Sequence, residues 1–177
     1  MPDRTLQILW IDDEPHTVAY EEDVLRGLGH AVHWAHDFQA AVAALHTRIY
    51  DRIILDQMFP VPGTGPLGGR ADRPRWAGAS LLWWLRRGEA PQQYALVLAD
   101  RIAGWEIALG AQLNASILAS NRAARVVPVS GFDDELLPLF RGADCGPGTT
   151  FPDIVRKPLD IHELLRSLDL RYTDDDL

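Results

Sequence analysis

Five polar side chains stand at the ends of short apolar runs. Asp12 and Asp13 follow LQILWI, Asp56 ends DRIILD, Ser130 ends RVVPVS, and Lys157 lies in DIVRKP. In an open parallel sheet the carboxyl ends of strands are where functional groups collect. Carboxylates gathered at one rim repel one another unless a cation neutralises them, and an all-oxygen cluster is the environment Mg²⁺ prefers. Bound there, magnesium would hold the acids together and screen an incoming phosphate from the nucleophile's own charge. Asp56 could then attack phosphorus as a carboxylate nucleophile, forming an acyl phosphate. The Lys157 ammonium would bind one phosphoryl oxygen and the Ser130 hydroxyl would donate to another.

That chemistry requires elements that bring the five residues to one edge. Residues 6–11 and 51–56 read as strands buried on both faces, 31–35 as a second strand, and 125–131 and 153–158 as the last two. Between them, residues 16–27 place Val18, Val24 and Leu25 near helical spacing, with Gly27 and Gly29 as the stop. Asp37 is a plausible N-cap for a helix carrying Phe38, Ala41, Val42 and Leu45, and Asp160 for a final helix, IHELLRSL. The alternation predicts an α/β fold: a doubly wound, five-stranded parallel sheet with right-handed crossovers.

Two stretches interrupt the rhythm between the third and fourth strands. Residues 61–76 are dense in Pro and Gly and predict a long loop; PGTGPLGGR lacks the spacing and the terminal Lys-Ser/Thr of a phosphate-binding P-loop. After a helix over 77–88, residues 91–124 form a second insertion. Tyr94, Leu98, Ile102, Trp105, Leu109, Leu113 and Ile117 recur every three or four residues, predicting one long helix or two shorter ones broken at Gly104 or Gly110. YALVLA alone would also pass for a strand. The stripe is expected to pack inside this chain, and one of the adjacent Trp83 and Trp84 to be half-exposed. DDELLPLFRG reads as a short helix and CGPGTTFP as a loop.

At 177 residues the chain is expected to be a single domain, 1–177, ending in a solvated tail over 170–177. Lysine and arginine number 17 against 25 acids, a net charge of −8, which argues against nucleic-acid binding through a general positive field. No apolar run reaches the roughly 18 residues a membrane span needs, and the N-terminus lacks the basic-then-apolar pattern of a signal peptide, so a cytoplasmic protein is expected. The single Cys145 cannot form an internal disulfide. His33 and His36 lack a third ligand for a metal, and the other histidines read as surface residues.

Taken in order, IDDEP, DQMFP, SG at 130–131 and KP at 157–158 resemble the receiver domain of two-component response regulators. The resemblance covers residues 5–60, about 77–88, and 125–169, and implies a flavodoxin-like, CheY-like fold. It implies Asp56 as the phosphoacceptor, Asp13 as a direct Mg²⁺ ligand, Asp12 as a water-mediated one, and the Met58 backbone carbonyl as a further ligand. Ser130 and Lys157 become the residues that sense and stabilise the phosphoryl group. The implied partners are a histidine kinase or phosphotransfer protein and a downstream protein, with a homodimer as a further option. With little chain after the last helix, a stand-alone receiver is expected, active by protein binding rather than as an ordinary enzyme.

Three departures accompany the resemblance. Ile154 occupies the position three before the lysine where the family usually has an aromatic residue that changes rotamer on phosphorylation; the other two are the insertions. They leave a second reading, a phosphorylation-independent interaction or dimerisation module on a receiver scaffold. A phosphatase or transferase with an Asp nucleophile fits less well, because Met58 stands where a second catalytic Asp would be needed.

Overall fold

The computed structural model describes residues 4–63, 74–89, 92, 95–131 and 154–173. Five parallel strands, β1 (Gln7–Ile11), β2 (Ala31–Ala35), β3 (Arg52–Asp56), β4 (Arg125–Ser130) and β5 (Val155–Arg156), lie in the order β2-β1-β3-β4-β5. The helices are α1 (Ala19–Gly27), α2 (Phe38–Thr47), α3 (Ala77–Arg87), α4 (Ala95–Leu109), α5 (Ala115–Arg122) and α6 (Ile161–Ser167). The doubly wound α/β prediction and its strand positions hold. The helix expected over 133–142, the loop expected after it with Cys145, the core of the first insertion at 64–73 and the acids at 174–176 lie outside the described residues.

Local sequence accounts for the elements. Asp37 and Asp160 cap α2 and α6 through side-chain bonds from Ala40 N–H (2.7 Å) and Glu163 N–H (3.1 Å), satisfying donors that a helix start leaves open. A short 3-10 turn at Pro15–Val18 precedes α1, and Gly29 takes φ 86° just after it, a conformation glycine adopts without a side-chain penalty. The central strands alternate between two cores. Leu9, Ile11, Ile53 and Leu55 face α2, α3, α4 and α5, while Ile8, Trp10 and Ile54 face α1 and α6.

The second insertion joins the first of these cores. Gly110, at φ 51°, ends α4 in a 3-10 turn, and Asn114 then caps α5, so the two-helix alternative is the correct one, and the strand alternative is overturned over residues 95–99, which are helical. Leu98 and Ile102 are buried and Trp105 packs on Phe38, ring centroids 5.7 Å apart, as expected of an inward stripe. Beyond the break the stripe turns outward: Leu113 is exposed and Leu118, not Ile117, reaches the core. Trp84 is buried and Trp83 half-buried.

Asn121 fastens α5 to the framework. Wholly buried, it donates from Nδ2 to the carbonyls of Leu45 and Arg48 (both 2.8 Å) and accepts Tyr50 N–H on Oδ1 (2.8 Å). Those three groups belong to the last turn of α2 and the link from it to β3, so one inserted side chain fixes how the chain enters the strand that carries Asp56. Two histidines expected at the surface, His30 and His46, are instead buried. His30 Nδ1 accepts Leu6 N–H (3.3 Å), and His46 pairs with Glu106 of α4, because each lies where a strand or helix end is covered by a neighbouring segment.

Candidate phosphoacceptor and metal site

The strand order reverses at β1, which pairs with β2 on one side and β3 on the other. Connections leave these neighbours in opposite directions and open a crevice beyond their carboxyl ends. Asp12 and Asp13 come from the end of β1 and Asp56 from the end of β3, so the crevice is lined by the acids. Their ligand oxygens all lie within 4.8 Å of one another. Asp12 and Asp56 are 1% and 6% exposed, while Asp13 is half-buried.

Lys157 crosses from β5 to join them. Its Nζ stands 2.7 Å from Asp12 Oδ2 and 3.0 Å from Asp56 Oδ1. The remaining oxygens are held by the main chain: Asp12 Oδ1 accepts Glu14 N–H (2.9 Å), and Asp56 Oδ2 accepts Met58 N–H (3.1 Å). The Asp56 carboxylate is therefore held at both oxygens. Ser130, buried at the end of β4, is tied to the lysine through its backbone, its carbonyl accepting Lys157 N–H (2.9 Å). The Lys157–Pro158 peptide bond is cis.

Burial is the largest influence on Asp56, raising its pKa from 3.8 to about 6; Lys157 opposes the rise and the Asp12 carboxylate adds to it. Burial acts on Lys157 in the other direction, but the Asp56 and Asp12 carboxylates outweigh it and its pKa is raised. At neutral pH the site thus holds a charged lysine beside an aspartate that is mostly ionised, the form a nucleophile requires. With an all-oxygen donor set of three converging carboxylates, these residues fit a hard divalent cation of the Mg²⁺ or Ca²⁺ kind. Among the described residues this is the one such cluster, and His33 and His36 are not part of it. His33 lies instead beside Gln7 Oε1 and the Arg48 guanidinium.

Ile154, next to β5, is half-buried and packs against the core that contains α3 and α4. One residue that shapes the site was not anticipated. Gly78, in the first turn of α3, donates its N–H to Gln57 O (3.1 Å), and a β-carbon there would fall 2.3 Å from the Asp56 carbonyl oxygen. A lone glycine opening an apolar helix after the loop that follows Asp56 is the signal that marks it, since close backbone approach is one use of glycine.

No protein-family model and no curated protein matches the sequence. Solved structures do. The receiver domain of the Francisella response regulator 1452 is 18% identical over 93% of this chain and 94% of its own, with a TM-score of 0.57. The receiver domain of sensor histidine kinase PA1611 from Pseudomonas aeruginosa PAO1, solved with a magnesium ion coordinated in its active site cleft, is 20% identical over 94% and 96%, with a TM-score of 0.57. A Burkholderia pseudomallei response regulator with a phosphorylated aspartic acid and a calcium ion is 14% identical over 97% and 68%, with a TM-score of 0.54. What these likenesses share with the site's geometry is architecture, and the chain has the CheY-like fold of response regulator receiver domains.

Proposed function

We propose that this protein is a phosphorelay signalling protein in which Asp56 accepts a phosphoryl group and the modified chain acts by binding another protein. The observation that carries the reading is the position of Lys157 Nζ, within 3.0 Å of both Asp12 and Asp56 at the mouth of the β1–β3 crevice. A lysine so placed neutralises the two buried acids in the resting state and is at hand for a phosphoryl oxygen once one of them is esterified.

In the proposed reaction an Asp56 oxygen attacks phosphorus in line with the donor bond. With a histidine kinase or phosphotransfer protein as donor, the P–N bond breaks, its electron pair stays on the imidazole, which takes a proton from solvent, and an acyl phosphate remains on Asp56. Lys157 turns from the carboxylate to the new phosphoryl group, and the Ser130 hydroxyl donates to it. Asp12, Asp13, Asp56 and the Met58 carbonyl would hold Mg²⁺, which supplies charge neutralisation at the phosphoryl oxygens when bound. Beyond self-catalysed phosphorylation and hydrolysis the protein is not an enzyme in the ordinary sense, and its setting is cytoplasmic. Among the described residues no helix is long and apolar enough to cross a membrane.

The test is intact mass after incubation with a small acyl-phosphate donor, with and without Mg²⁺, for the wild type and Asp56→Asn. A Mg²⁺-dependent gain of one phosphoryl group, lost in the variant, supports the reading. A wild type that gains none, beside a known receiver that does, turns the balance to the second reading, a phosphorylation-independent interaction module. Ile154 at the usual aromatic position and the firm packing of α4 and α5 favour that alternative.

A further inference from the structure

A cavity of about 660 Å³ lies at the other end of α3 from its N-terminal contact with Asp56, between the C-terminal turns of α3 and the middle of α4. Trp83, Trp84 and Ile102 supply its apolar wall and Glu89, Gln92 and Glu106 its polar groups. Among the described residues, no lysine or arginine lines it. The volume falls in the range of about 300–1,000 Å³ typical of pockets that enclose a small molecule.

The two charged groups carry one sign, and Gln92 is neutral. The Glu106 carboxylate is oriented by His46, a side chain 6% exposed, whose Nε2–H donates to Oε1 at 3.0 Å. Indole faces attract cations through their quadrupole, and this helix already shows the effect: the Arg87 guanidinium stands 4.7 Å from the ring centre of Trp83. Two carboxylates and two indoles, one of which already carries Arg87 on a face, select against anions. The geometry points to a binding site for a free small organic cation with an apolar body, of the arylalkylamine or alkylguanidine class. The site is independent of the phosphoacceptor reading and uses none of its residues.

The experiment titrates the full chain with phenylethylamine, agmatine and benzyltrimethylammonium, following the indole N–H resonances of Trp83 and Trp84 and the heat of binding. Phenylethanol, the neutral counterpart of the first probe, is the control. Saturable binding of at least one cation with shifts at both indoles is expected, the alcohol binding about tenfold more weakly. Glu106→Gln should weaken the cation about tenfold. Because that change also touches His46, Glu89→Gln gives a second reading of the same charge dependence away from it. Ala103→Leu, on the exposed side of α4 and lining the cavity, should abolish binding while the melting curve is kept. The proposal is overturned by absence of saturation with all three cations, by equal affinity for amine and alcohol, or by unchanged binding in Ala103→Leu.

Discussion

Gly78 lies against the main chain of Asp56, so closely that a β-carbon on it would meet the aspartate's carbonyl oxygen at 2.3 Å and the Gln57 α-carbon at 3.0 Å. Both obstacles are backbone, which cannot rotate aside as a side chain would. Gly78→Ala must therefore push α3 away from the end of β3 or distort the main chain at Asp56 and Gln57. A loss of about 1–3 kcal/mol in urea unfolding is expected, together with reduced phosphoryl uptake at Asp56. Gly104→Ala, at an exposed α4 position with nothing within 4 Å of its new methyl, should instead stabilise by about 0.5–1 kcal/mol. Equal effects of the two substitutions would contradict this account of Gly78.

The contrast shows where the sequence was informative. Asp12, Asp13, Asp56, Ser130 and Lys157 were legible because each ends an apolar run, and a parallel sheet sends all such ends to one rim. The contact at Gly78 depends on how α3 re-enters after the Pro- and Gly-rich loop, a distance no local pattern records. The burial of His30 and His46 escapes the sequence for the same reason: their partners, Leu6 just before β1 and Glu106 of α4, are remote in sequence. In α4 and α5 the apolar period is readable, but a period does not say which side of a break faces the core: Leu113 of the stripe is exposed, and Leu118 is buried where the stripe names Ile117.

Asp56 has its pKa raised from 3.8 to about 6, chiefly by burial, so its ionised form is less welcome in the folded protein than in the unfolded chain. Between those values the folded state binds more protons than the unfolded one, and this group's contribution to stability falls as pH rises. Asp56→Asn removes the charge at every pH. Without divalent cations its stability advantage over wild type should be near its minimum below pH 4, grow through the interval up to about pH 6, and level off at about 2–3 kcal/mol above it. Urea midpoints at pH 4 and 7.5 measure the difference, and an advantage independent of pH would contradict the assigned direction. Added Mg²⁺ should erase most of that advantage at pH 7.5, because it stabilises the ionised wild type.

Lys157 neutralises two buried carboxylates at once, which makes its removal costlier than loss of a surface ion pair. Lys157→Met keeps the stem and leaves Asp12 and Asp56 without the ammonium. A loss of about 3 kcal/mol is expected in metal-free buffer, with partial recovery when Mg²⁺ is added. Thermal melts with chelator and with Mg²⁺ separate the two parts. If the variant melts like wild type in chelator, the lysine is not balancing the acids.

Asn121 joins the inserted α5 to the turn before β3 with three hydrogen bonds, all from one wholly buried side chain. Truncation to alanine leaves the Tyr50 N–H and the Leu45 and Arg48 carbonyls without these partners inside the protein, and each unmet buried group costs about 1–3 kcal/mol. Since some will find water, Asn121→Ala should lose about 3 kcal/mol in all. An ornamental insertion would make a different prediction: the framework would tolerate the loss, and replacing residues 91–124 by a short linker would leave a smaller, cooperatively melting domain. The observed packing opposes that outcome. Leu98, Ile102 and Leu118 belong to the same core as Phe38, Leu45 and Leu85, and their removal would open that core to water beside α2 and α3. The shortened chain should therefore show a broadened, non-cooperative melt and bind a dye for exposed apolar surface, whereas Asn121→Ala should keep one sharp transition at lower temperature. A sharp melt for the shortened chain would mean that the insertion rests on a fold already complete without it.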